Sequence, residues 1–162
     1  MVVNLLDQLK ALNHFIKKFP VDVEGLVLAL GGSVNRAYLA DDISGMLECE
    51  NDKFFITVNE EDSETRQRFT IAHEIGHYML HRSLIGEGLD DSRAYRSTDK
   101  GKYHNTKIGK QQEIEANRFA AQILMPKNEV GRLKAEQRDV YYMASHFNVS
   151  KEAMSIRADL PL

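Results

Sequence analysis

The chain has 162 residues, of which 43% are hydrophobic and 28% charged, so it is expected to form a single globular domain spanning 1–162. Its net charge of -3 argues against a protein that binds nucleic acid by bulk electrostatic attraction. The single cysteine, Cys49, excludes an internal disulfide, and the absence of a leader or a bilayer-length apolar run predicts a cytoplasmic protein.

The first 58 residues predict two helices followed by a small antiparallel sheet. Apolar residues at spacings of three and four predict helices within 3–31, the first ended by Pro20 and the second capped by Asp22. Runs of β-branched and aromatic residues predict the sheet within 33–58. An edge strand of this sheet could hold a peptide substrate as an added strand, or the sheet could be purely structural. The three strands are predicted at 33–39, 43–49 and 53–58, with a turn at Glu50-Asn51-Asp52 between the last two.

The next element, a helix predicted over 64–82, contains the sequence His73-Glu74-Ile75-Gly76-His77. Helix residues four apart lie on one face, so His73 and His77 can bind the same metal ion. Glu74 lies about 100° around the helix, where it can act as a general base toward a metal-bound water. This is the H-E-x-x-H arrangement of zinc hydrolases. Gly76, a glycine inside a helix, indicates close approach of another backbone.

Residues 83–110 lack helical or strand periodicity and contain four glycines and many charged side chains. A loop of this length inside a compact domain is usually functional or disordered. We interpret it as a lid or substrate-binding loop over the metal site, with simple disorder as the alternative. Tyr95, Tyr103 and His104 are candidates by chemistry alone for a second donor to the reaction's oxyanion, but surface or hinge roles are favoured for each of them.

A helix predicted over 111–125 carries the candidate for the third metal ligand. Glu113 lies on the same face as the apolar residues of this helix, whereas Glu115 shares a face with Arg118. We therefore predict that Glu113 completes the metal site and that Glu115 is solvated. Asn117, one turn beyond Glu113, is predicted to accept a hydrogen bond from a ligating histidine and fix its tautomer. The alternative is that Asn117 satisfies a nearby backbone group.

His81 is the competing candidate for the third ligand. It lies about 12 Å along the helix axis from His73, at 1.5 Å per residue, and no glycine turn follows His77 to bring the chain back. We therefore predict that His81 is a helix-end residue favoured by the helix dipole.

The C-terminal segment, 127–158, predicts further helices with the pattern of a helix-turn-helix. Ser150 is expected to cap the last helix. That helix could enter a DNA major groove, but Lys151, Glu152 and Arg157 give it a weak basic footprint. Direct binding of nucleic acid is therefore not expected, and packing or docking of a repressor is favoured.

The His73 to His77 motif, the stretch from Glu113 to Pro126 and the tail from Phe147 to Arg157 together resemble the ImmA/IrrE family of bacterial metallopeptidases. The resemblance implies an α+β, minimal zincin-like fold and a zinc or manganese ion. It places the ligands at His73, His77 and Glu113 and the base at Glu74. It also implies cleavage of a cognate helix-turn-helix (XRE-type) repressor.

The motif predicts a metal-dependent endopeptidase, and the resemblance implies that it relieves transcriptional repression. Two alternatives come from other classes of protein. The first is a non-catalytic binding module that sequesters a repressor or a toxin, and the second is a DNA-binding regulator.

Overall fold

Two helices open the chain. Helix α1 (Leu5–Phe15) ends well before Pro20, earlier than predicted. Helix α2 (Val23–Ala29) is capped by Asp22 as predicted, since its side chain accepts a hydrogen bond from the Gly25 backbone N–H. The computed structural model describes residues 4–40, 42–51, 53–86 and 107–162, together with the backbone of 88–92.

Four strands within the described ranges form one mixed sheet in the order β1-β3-β2-β4. Strands β2 and β3 form the predicted antiparallel hairpin, turning at Asn51, which has a φ of 47°. Strand β1 pairs with β3 in parallel, so the prediction of a purely antiparallel sheet is wrong. The reason is that β3 lies between β1 and β2 in the sheet, so neighbouring strands in the sheet are not always neighbours in the sequence. The strands are β1 (Gly32–Ala37), β2 (Ile43–Glu50), β3 (Lys53–Asn59) and β4 (Gly88–Ser92).

One face of the sheet packs on the long helix α3 (Glu64–Ile85). The ring of Phe54 on β3 stacks on Tyr78 of α3 with ring centroids 3.9 Å apart. Ser63 caps α3 by accepting a hydrogen bond from the Arg66 backbone N–H. The sheet and α3 therefore share a buried core, and its position sets where the histidines of α3 lie.

Helix α4 (Lys110–Leu124) packs against α3. The two backbones approach closely at Gly76, where an added Cβ would lie 3.2 Å from both the Cα and the carbonyl oxygen of Ala116. The predicted close backbone approach at Gly76 is therefore confirmed. It brings the polar faces of α3 and α4 within hydrogen-bonding distance of each other.

Three short helices complete the chain: α5 (Lys127–Ala135), α6 (Val140–Phe147) and α7 (Lys151–Ala158). Ser150 caps α7 as predicted, accepting a hydrogen bond from the Ala153 backbone N–H. The turn between α6 and α7 is tied to α3, because Arg68 donates hydrogen bonds to the Asn148 carbonyl at 3.1 Å and to the Val21 carbonyl at 2.9 Å. The C-terminal helices are thus part of the same core as α3.

The region predicted as an unstructured loop, 83–110, is partly ordered. Its first three residues continue α3, and residues 88–92 form strand β4 along β2. Tyr95, Tyr103 and His104 lie outside the described residues. Across the part of the chain that the structure describes, no helix combines the length and the apolar character needed to cross a bilayer.

Candidate metal centre

Helices α3 and α4 bring His73, His77 and Glu113 together. The two histidine Nε2 atoms are 2.9 Å apart. Nε2 of His73 lies 3.3 Å from Glu113 Oε2, and Nε2 of His77 lies 3.2 Å from Glu113 Oε1. Each side chain thus offers one donor atom within 4.8 Å of the other two, and within the described ranges these are the His, Cys, Asp or Glu side chains gathered closely enough to hold a metal ion.

The donor set can hold a zinc ion after small shifts of the side chains. Zinc binds histidine nitrogen and carboxylate oxygen at about 2.0–2.2 Å, so the corners of a tetrahedron around it are roughly 3.3–3.6 Å apart. The two histidine nitrogens, which are 2.9 Å apart, would separate slightly, and one of the two Glu113 oxygens would turn toward both of them. The donor set of two imidazoles and one carboxylate also fits zinc or manganese and leaves a fourth position for water or substrate.

Asn117 supports His73 from α4. Its Oδ1 is 3.0 Å from Nδ1 of His73. An amide oxygen can only accept, so Nδ1 of His73 carries the proton in this pair and Nε2 presents its lone pair to the triad. Asn117 therefore fixes the tautomer and the orientation of His73.

His77 is supported by a longer chain of hydrogen bonds, through His81 to Glu115. Nδ1 of His77 lies 3.1 Å from Nδ1 of His81, and Nε2 of His81 lies 2.9 Å from Glu115 Oε2. Glu115 also accepts a hydrogen bond from Gln111 at 2.7 Å. If the carboxylate accepts from His81 Nε2–H, then His81 Nδ1 accepts from His77 Nδ1–H, and Nε2 of His77 is left as a donor of electrons to a metal.

The structure corrects the prediction for His81 and agrees with the one for Glu115. His81 is 4% exposed and contacts His77, so it is a buried residue and not one at the end of a helix. Its backbone, at φ -124° and ψ 17°, departs from helical geometry inside α3. Glu115 is the more solvated carboxylate, with its side chain 40% exposed against 16% for Glu113, and it also bonds to His81. The sequence held a signal for this pair, since His81 is one turn beyond His77 and Glu115 is two residues from Glu113.

The electrostatics of the triad favour a neutral His77 beside an ionised Glu113. Burial lowers the pKa of His77 to about 4, which keeps it neutral at physiological pH. Burial would raise the pKa of Glu113, but the contacts of its carboxylate with His73 and His77 outweigh burial and lower that pKa to about 2. A neutral histidine and an ionised glutamate are the forms that bind a divalent cation.

Glu74 lies on the side of α3 that faces the sheet. It is fully buried, and its Oε1 would be 3.7 Å from a Cβ added at Gly45 on β2. That added Cβ would also lie 2.4 Å from Cγ2 of Thr70. The absence of a side chain at residue 45 therefore lets β2 approach α3 next to Glu74, and the carboxylate is held between helix and sheet.

Three comparisons with known proteins relate this arrangement to a family. The family model described as the IrrE N-terminal-like domain, a peptidase family, matches residues 36–159. No curated protein matches the chain. Among solved structures, a Mycobacterium tuberculosis transcriptional regulator matches with a TM-score of 0.57 and 19% identity over 94% of this chain. The present chain spans 46% of that protein's length, and the likeness shows a shared fold.

Proposed function

Because the chain belongs to the IrrE N-terminal-like peptidase family, a family of metallopeptidases with a small zincin-like α+β domain, we propose that it is a metal-dependent endopeptidase that cuts a helix-turn-helix repressor. The observation that carries the catalytic part is the clustering of His73, His77 and Glu113, each of which offers one donor atom within 4.8 Å of the others. The repressor follows from the family resemblance of the motifs. The similar Mycobacterium tuberculosis protein is a transcriptional regulator, which is consistent with a role in transcription.

In this proposal each residue of the site has a distinct role. His73, His77 and Glu113 hold zinc, or manganese in its place. Asn117 orients His73, and His81 with Glu115 orients His77. When bound, the ion would lower the pKa of a coordinated water toward about 7 and polarise the scissile carbonyl.

Glu74 moves the protons in the proposed reaction. Its carboxylate takes a proton from the attacking water and delivers it to the nitrogen of the leaving amine. Its burial between α3 and β2 restricts the directions in which the carboxylate can turn, so the proton acceptor is held in place before substrate arrives.

The test compares wild type with Glu74→Gln. Both proteins, loaded with zinc, would be incubated with a panel of purified helix-turn-helix repressors from the source genome, and the products identified by mass spectrometry. We expect wild type to cut one or a few repressors at defined bonds. Glu74→Gln is expected to bind zinc equally well and to cut none.

Two other outcomes would contradict the proposal. Cleavage by Glu74→Gln at the wild-type rate would remove Glu74 as the base. A repressor that wild type binds but leaves intact would favour the alternative function, sequestration of a partner by a non-catalytic domain.

A further inference from the structure

A cavity of about 620 Å³ lies on one side of the candidate metal centre, between the start of α3, the end of α4 and the last helix α7. Its volume is in the range of sites that bind small ligands or side chains. Its walls are mostly apolar. The apolar lining residues are Phe69, Ala121, Met125, Val149, Ala153 and Ile156.

Two residues that line the cavity are next to His73 of the metal centre. Phe69 lies one turn before His73 on α3, with ring centroids 6.4 Å apart. Asn117, which bonds to His73, also lines the cavity. One helical turn is about 5.4 Å and an extended peptide advances about 3.3 Å per residue. The cavity is therefore within one or two residues of a bond held at the metal.

The charges and exposure of the lining residues restrict what the cavity would accept. Arg66 and Arg157 line it against one carboxylate, that of Glu152, so a cationic group is disfavoured. Arg66 is held by Ser44, and Arg157 by the Met125 carbonyl. Ile156 is 83% exposed, which leaves a large aliphatic group available to contact an incoming chain.

We infer that this cavity binds an uncharged, aliphatic or aromatic side chain of the substrate, next to the bond that is cut. The inference rests on the proposed peptidase function and adds its substrate class: a polypeptide with a large apolar residue close to the scissile bond. Phe69, Ala121 and Ile156 are the residues that select that side chain. Asn117 separates the cavity from the metal ligands.

The test measures binding rather than turnover, on the zinc-loaded full chain. The probes are two pairs of short peptidyl hydroxamates, whose hydroxamate group binds zinc. Within each pair one compound carries an isobutyl group and the other a hydrogen. The isobutyl group lies on the amino side of the hydroxamate in one pair and on the carboxyl side in the other.

Calorimetry is expected to show that the isobutyl group tightens binding in one of the two pairs on the order of tenfold or more, as burial of most of a leucine-sized side chain supplies. Ala121→Phe fills the cavity and is expected to reduce this gain to about threefold or less. Gln122→Phe is the matched control, because Gln122 is exposed on the same helix and outside the cavity, and it should keep the gain.

A second variant protects the test against misfolding. Ile156→Glu changes a largely exposed residue and places a charge at the cavity, so it should also remove most of the gain. Leu28→Glu, an exposed leucine on α2, is its control and should have no effect.

An equal isobutyl gain in all the variants would overturn the inference, as would no gain in either pair while the unsubstituted hydroxamates bind. Failure of the unsubstituted hydroxamates to bind the zinc-loaded protein would instead reject the metal-dependent function, and the inference with it.

Discussion

The two sides of the candidate metal centre are built differently. On the side of His77, a chain of hydrogen bonds runs from His77 through His81 to the carboxylate of Glu115. On the side of His73, one neutral amide, that of Asn117, separates the histidine from an apolar cavity. The difference indicates that one side serves to fix the site and that the other is open to a substrate.

The largest effect should come from removing a ligand instead of a supporting residue. Three ligands sharing roughly 12 kcal/mol of zinc binding contribute about 4 kcal/mol each, on the order of a thousandfold in affinity. Glu113→Ala should therefore abolish tight zinc binding, measured by competition with a chelator. Glu115→Ala, two residues away, should keep the site with about 10–100-fold weaker binding. Equal losses in the two variants would show that Glu113 has no special place in the site.

A double-mutant cycle can test the chain of hydrogen bonds from His77 through His81 to Glu115. His81→Ala should weaken zinc binding by about 10–100-fold, because His77 loses the partner that fixes its tautomer. If Glu115 acts through His81, His81→Ala combined with Glu115→Ala should be no weaker than His81→Ala alone. Fully additive losses would show that Glu115 and His81 contribute separately.

The amide on the side of His73 should have a smaller effect, since it is a single neutral acceptor. Asn117→Ala is expected to weaken zinc binding by about tenfold. Asn117→Asp keeps an oxygen acceptor for His73 Nδ1–H and should bind zinc at least as tightly as wild type. An affinity for zinc as low in Asn117→Asp as in Asn117→Ala would contradict the role given to the amide oxygen.

Both sides of the candidate metal centre depend on the close approach of α3 and α4. Two glycine substitutions test that approach, and their expected effects are the smallest of those considered. Gly76→Ala should lower the free energy of unfolding by about 1–2 kcal/mol, because its Cβ presses on the Ala116 backbone and overpacking exceeds the gain in helix propensity. Gly131→Ala in α5 meets no atom within 4 Å and should instead raise that free energy by about 0.5–1 kcal/mol. Urea denaturation of both metal-free variants measures the contrast, and stabilisation by Gly76→Ala would contradict the close approach.

Local signals in the sequence predicted most of the elements, and long-range choices caused the errors. The caps at Asp22 and Ser150 and the hairpin at Asn51 depend on neighbouring residues, and all three are present. The parallel pairing of β1 with β3 depends on which strand inserts between two others. Strand β4 is short and glycine-flanked, and it is ordered by pairing with β2 rather than by its own pattern.

The sequence by itself determined which side chains form the candidate metal centre, because helical periodicity places His73 and His77 on one face and turns Glu113 inward with the apolar residues of its own helix. Only the tertiary structure decided how that site is supported and where it opens. His81 departs from helical geometry inside α3 and joins His77 to Glu115 of α4, and a contact between two helices of this kind depends on how they pack together. The cavity beside His73 is formed by three helices far apart in the chain, and a contact of that kind leaves no periodic pattern in any one of them.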